Sequence, residues 1–180
     1  MAQLRLIGLV ALIELVALIS LFALEGCRQT AEAEPGSGIA APIGWRALPE
    51  LAAAVRTAAG TDRVGVDRSE AWGEPAMGCY GAWLSIHGSR TPPDVMAQQI
   101  LEGLATEPEL AGIAIRDVVK PAVDADRGTL SLAFTRATYH GRLRAQLEAS
   151  GQITALACFW NEREPGACES SCTGLLGRLP

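Results

Sequence analysis

Residues 129–160, TLSLAFTRATYHGRLRAQLEASGQITALACFW, decide the fold. Leu130, Leu132 and Phe134 alternate with Ser131, Ala133 and Thr135; Leu143, Ala145, Leu147 and Ala149 alternate with Arg142, Arg144, Gln146 and Glu148. A period of two is the mark of a strand with one buried face. His140-Gly141 and Ser150-Gly151 offer turn chemistry between the runs, so the stretch reads as three strands of an antiparallel meander. Residues 153–160 are apolar on both faces, which places that strand at the centre of a sheet or under two layers.

Downstream, residues 167–178 carry Cys168, Cys172, Leu175, Leu176 and Leu179 on one stripe of a closing helix. Upstream, residues 77–87 alternate Tyr80, Ala82, Leu84 and Ile86 against Cys79, Gly81, Trp83 and Ser85, which is another strand. Thr91, Pro92 and Asp94 supply a cap oxygen, an N1 proline and an early carboxylate for a helix running to about Ala105, with Met96, Ile100, Leu101 and Leu104 inward. Residues 112–120 and a short run at 64–66 are further strands. Residues 46–60 place Leu48, Leu51, Ala52 and Val55 at helical spacing and end at Gly60.

The order is α-β-β-α-β-β-β-β-α. The expected class is α+β: an antiparallel sheet of about five strands ending in the meander, with the helices packed on one face. Over roughly residues 62–179 this order resembles the PsbP/DcrB-like fold of small exported lipoproteins and photosystem subunits. The resemblance implies a topology and carries no functional residue with it.

The compartment is read from residues 6–27, LIGLVALIELVALISLFALEGC, preceded by Arg5. A basic residue, an apolar run and a small residue before a cysteine are the parts of an exported precursor. Leu24-Glu25-Gly26-Cys27 resembles a bacterial lipobox, which implies cleavage before Cys27 and acylation of its sulfur. Glu25 departs from the small or uncharged residue of that motif. Glu14 sets a carboxylate inside the apolar run, at a cost of about 2.5–3.5 kcal/mol on insertion scales. The run is also longer than the roughly 7–15 residues of a signal-peptide core, so an uncleaved membrane anchor is the alternative. A pilin-type leader fits less well, because Gly8 and Glu14 stand one residue too far apart for its register. The expected organisation is a signal peptide or anchor over 1–26, a flexible tether over 27–44 that is rich in small residues, Gly and Pro, and one domain over 45–180.

A net charge of −5 argues against nucleic acid, whose phosphates require clustered basic residues. Five cysteines less Cys27 leave Cys79, Cys158, Cys168 and Cys172, the number for two disulfides in an oxidising compartment. Three connectivities are possible. Cys168 with Cys172 is disfavoured, because Cβ vectors four apart on a helix do not converge well. The competing use of these cysteines is a metal site or a thiol nucleophile. Zinc sites usually contain a close CxxC-type pair, and here the closest spacing is Cys168-x3-Cys172.

His87 and His140 read as exposed histidines at strand ends and turns, and no nucleophile elbow, zinc-protease, phosphate-loop or dinucleotide motif is present. Arg136, Arg142 and Arg144 form a basic strip that cross-strand charges can satisfy. Trp45, Trp72, Trp83 and Trp160 read as core and domain-edge residues before they read as pocket walls. No cofactor is expected. The function expected is that of a non-catalytic envelope lipoprotein, held to a membrane by lipid or by its N-terminal helix and binding an envelope protein or a small ligand.

Overall fold

In a computed structural model, the described residues are 37–60, 65–106, 112–123, 125–161 and 166–179. The strands are β1 (Arg46–Ala47), β2 (Gly65–Glu74), β3 (Cys79–His87), β4 (Ala114–Val119), β5 (Arg127–Arg136), β6 (Tyr139–Glu148) and β7 (Gln152–Asn161). The helices are α1 (Pro49–Ala59), α2 (Pro93–Thr106) and α3 (Ala167–Leu176). All seven strands join one antiparallel sheet in the order β1-β2-β3-β7-β6-β5-β4. The β2–β3 hairpin is followed by α2, which carries the chain to the far edge. The meander β4 to β7 then walks back until β7 pairs with β3.

The sheet has seven strands where about five were expected. The polar run 67–74 continues β2, and β1 pairs with its end through Arg46–Gly73 and Ala47–Trp72. No alternation announces that run, because near the sheet edge only Ala71, Trp72 and Gly73 of β2 are buried.

The first face of the sheet holds the larger core. Tyr80, Ala82, Leu84 and Ile86 of β3, Ile153, Ala155, Ala157 and Phe159 of β7, Leu143, Ala145 and Leu147 of β6, and Leu130, Leu132 and Phe134 of β5 meet Leu51, Val55 and Ala59 of α1 and Met96, Ala97, Ile100 and Leu104 of α2. One row across this face reads Gly73, Tyr80, Phe159, Gly141, Phe134. Tyr80 and Phe159 stack with centroids 5.4 Å apart. A Cβ at Gly141 would overlap the Phe134 ring, so the glycine makes room for an aromatic. This explains why His140-Gly141, expected as the turn, lies inside β6. The hairpin closes instead at residues 137–138, with Ala137 at φ 51°. Gly151, at φ 95°, does form the expected turn before β7.

The helices do not share one face. α3 lies on the opposite side, over β7, β3 and β6. The reason is in β3 and β7, which are apolar on both sides: Cys79 and Trp83, with Leu156, Cys158 and Trp160, need a second cover. The N-terminal boundary shifts too. Residues 37–44, expected within the tether, lie against this second face. Ser37 donates from its amide and its hydroxyl to the Glu70 carboxylate, Ile39 and Ala41 pack on the cluster, Pro42 is buried, and Arg178 donates to the Ala40 carbonyl. A few apolar residues in a Gly/Pro-rich segment are enough to dock it, and average composition hides them. Residues 1–36 lie outside the described residues.

Candidate functional site

The second face is built around two disulfides, Cys79–Cys168 and Cys158–Cys172, each with Cα atoms 5.5 Å apart. Their placement follows from register. Cys79 lies opposite Trp160 and Cys158 opposite Gly81, so Cys79 and Cys158 point to the same face two residues apart on neighbouring strands. That diagonal is about 7–8 Å, and one helical step of four residues rises about 6 Å, so Cys168 and Cys172 meet the two strand cysteines in turn. Gly81 leaves room for Leu175 and Trp45, whose side chains occupy the space a Cβ would take. Trp72, Trp83 and Trp160 are buried around the cystines at 7%, 7% and 8% exposure, as core residues, and Trp160 also reaches the wall of a surface cavity.

On the other side of α3, β6 supplies two arginines. Arg142 Nη2 donates to Glu169 Oε1 at 2.6 Å and its Nη1 to Thr173 Oγ1 at 3.3 Å. Arg144 Nη1 donates to the Leu176 carbonyl at 3.5 Å, near the negative end of the helix. The expected basic strip therefore ties a helix to the sheet. Arg136 ends β5, away from this pair.

Where α3 stops covering the sheet, a cavity of about 450 Å³ opens, lined by Arg116 of β4, Ala133 of β5, His140 and Arg142 of β6, Trp160 of β7 and Glu169 of α3. The register sets its floor: Ala133 lies between Arg116 and Arg142, so a methyl group is flanked by two guanidinium side chains. His140 stacks on Trp160, with centroids 6.2 Å apart and planes at 24°. Asp117, which also lines the cavity, takes φ 54° where the β4–β5 register shifts. Arg116 was not singled out from the sequence. Its signal is the Arg116-Asp117 pair interrupting an otherwise apolar strand, the mark of a bulge.

At the opposite end of the same face His87 Nδ1 lies 2.5 Å from Asp67 Oδ1, while Gln152 Nε2 donates to Ser85 Oγ at 2.8 Å. The Ser85 hydroxyl lies against Asp67 at 3.5 Å. A serine of the Ser-His-Asp type hydrogen-bonds its histidine, and here both the serine and the histidine turn instead to one carboxylate in an exposed cluster. In the first core, burial pushes the Tyr80 phenol above its ordinary 10.0, and the neighbouring Tyr139 adds to the shift.

Among the described residues no group of three or more His, Cys, Asp or Glu is placed to hold a metal ion, and no helix is long and apolar enough to cross a membrane. Cys27, the whole of residues 6–27 and the carboxylates Glu162 and Glu164 lie outside the described residues. No family model matches the chain, and no curated protein matches it.

Proposed function

We propose that this chain is a membrane-tethered lipoprotein of the cell envelope, whose disulfide-braced α+β domain binds a partner protein or a small ligand and performs no catalysis. The observation that carries the reading is the pairing of Cys79 with Cys168 and Cys158 with Cys172, which uses every cysteine of the domain and leaves Cys27 as the one cysteine over. Disulfides persist in oxidising compartments, and a cysteine at the end of an apolar leader is the acceptor such an exported chain would acylate. The leader would direct the domain to the periplasmic or extracellular side. Two or more acyl chains, at about 0.8 kcal/mol per buried methylene, make such an anchor stable. Paired cysteines offer no thiolate, which is the form that attacks a substrate or binds a metal.

The second reading keeps the compartment and changes the anchor. Glu25 in the lipobox-like motif and the length of the apolar run favour an uncleaved N-terminal helix. Intact mass of the membrane-extracted chain, before and after reduction and alkylation, separates the two. A chain beginning at an acylated Cys27, with four further cysteines alkylated only after reduction, is the expected result. A full-length chain with an alkylatable Cys27 would replace the lipid by a helix. Free thiols at any of the other four would reopen metal or thiol chemistry.

A further inference from the structure

We infer that the turn at residues 42–45, with Ile43 at its tip, is the contact by which the domain rests on the lipid bilayer that anchors it. The β1–β2 edge of the sheet then faces the membrane and the β4 edge faces away. The inference deepens the reading above and rests on the chain being anchored at or before Cys27; it holds equally for a lipid anchor and for an uncleaved helix.

Among the described residues Ile43 is the most exposed large apolar side chain, at 101% against 74% for Val123, the next. Its neighbours are held firmly. Pro42 is buried, Trp45 is half-buried with its ring in the space above Gly81, and the Trp45 amide donates to the Pro42 carbonyl at 3.1 Å. Gly44 stands at φ 85°, the left-handed value that the third position of a type II turn requires. The docked residues 37–41 hold the turn from the other side. A pinned turn thus presents a bare isoleucine to solvent. The second position of such a turn has no need of an aliphatic side chain, so the turn by itself does not account for this one.

The chain before the turn says what covers it. Ser37 stands ten positions after Cys27, and ten extended residues reach at most about 33–36 Å. Ser37 is bonded to Glu70 of β2, and Gly44 lies beside Glu74 of the same strand, so the docked segment follows one strand near the sheet edge. The reach of the anchor therefore ends on the edge that carries Ile43. The other exposed apolar set, Val118, Val119 and Val123, belongs to the β4 edge, six strand spacings or about 29 Å across the sheet. Charge does not choose the surface, because exposed Arg46 follows the turn and Glu74 lies against it, one of each sign. The contact is apolar: an isoleucine set into the boundary between headgroups and acyl chains, at the high local concentration that a short tether provides.

The test places the full membrane-extracted chain, with isotope-labelled isoleucine, valine and methionine methyl groups, in phosphatidylcholine nanodiscs with or without a lipid spin-labelled near its headgroup. The Ile43 methyl signals are expected to lose most of their intensity to the spin label, while those of Val119 and Val123 keep theirs. Ile43→Asp should leave the melting temperature unchanged, because the side chain is wholly exposed. It should also return the Met77 methyl, in the hairpin that adjoins the turn at Glu74, to its intensity without the spin label. Adding phosphatidylglycerol or salt should change neither result. An Ile43 signal untouched by the spin label, equal losses at Ile43 and Val123, or a contact that needs phosphatidylglycerol and disappears in salt would overturn the inference and leave the anchor standing. A chain that separates from the discs on gel filtration would overturn the anchor, and the inference with it.

Discussion

The two faces of the sheet are held by different physics. The first buries aliphatic side chains and stacked rings under α1 and α2, with neither a cysteine nor a tryptophan in its core. The second covers three tryptophans with a single ten-residue helix, and its contact is cross-linked twice. Apolar area is enough to hold a helix of fourteen residues such as α2. α3 is shorter than the roughly 12–15 residues at which an isolated helix begins to hold in water, and Gly174 lies inside it. It buries Cys168, Cys172 and Leu175 within its span and Leu179 just beyond. Where area is small, covalent closure and arginine contacts take over. The lesson is that a sheet apolar on both sides can be covered unequally when the compartment permits disulfides.

The comparison makes predictions of decreasing size. Replacing Cys79 and Cys168 by alanine opens a closure spanning 89 residues and is expected to cost about 4–5 kcal/mol. Replacing Cys158 and Cys172 opens a closure of 14 and should cost about 3 kcal/mol. Denaturant unfolding of the two double variants measures both. Equal losses would mean that strain or the unfolded state, rather than loop closure, sets the scale. On the first face, Gly141→Ala should cost about 1–3 kcal/mol through overlap with Phe134, and Phe134→Leu in the same chain should recover part of the loss. If the pair proves additive, the overlap is not the cause.

Arg142→Ala should cost at most about 1 kcal/mol, because its pair with Glu169 is 41% and 50% exposed. A double-mutant cycle with Glu169→Ala would show a coupling that shrinks in salt. A salt-insensitive coupling would contradict this account. The smallest effect at neutral pH is at Tyr80. Its folded pKa is raised, so the associated stability is complete below the unfolded value of 10.0 and is lost as pH rises from there through the folded pKa. Tyr80→Phe should leave neutral stability nearly unchanged and flatten the alkaline decline measured by unfolding between neutral and strongly basic pH. An unchanged alkaline slope would assign the decline to other groups.

Much of the fold was legible because its signals are local. Leu130, Leu132 and Phe134, and Leu143, Ala145 and Leu147, alternate along their own strands and need no partner to be read. β2 was legible only at its start, since its buried residues Ala71 and Trp72 sit in a polar run whose neighbours matter more than its pattern. The turn before β6 was misplaced because glycine signals room as well as reversal, and Gly141 serves the Phe134 ring. The cavity was not legible: Arg116, Ala133 and His140 are brought together by cross-strand register over a span of 24 residues, and no local pattern records that.

The chain alone determined the α+β class, the closing meander and a cysteine count that leaves four after Cys27, because periodicity and parity are properties of the sequence as written. Tertiary structure alone decided the pairing of those four, the crossing of α3 to the second face and the docking of residues 37–44. Each depends on the register that sets Gly81 opposite Cys158, a pairing between residues 77 positions apart. Such a choice is made by the packing of two whole faces, which no single window of the sequence contains.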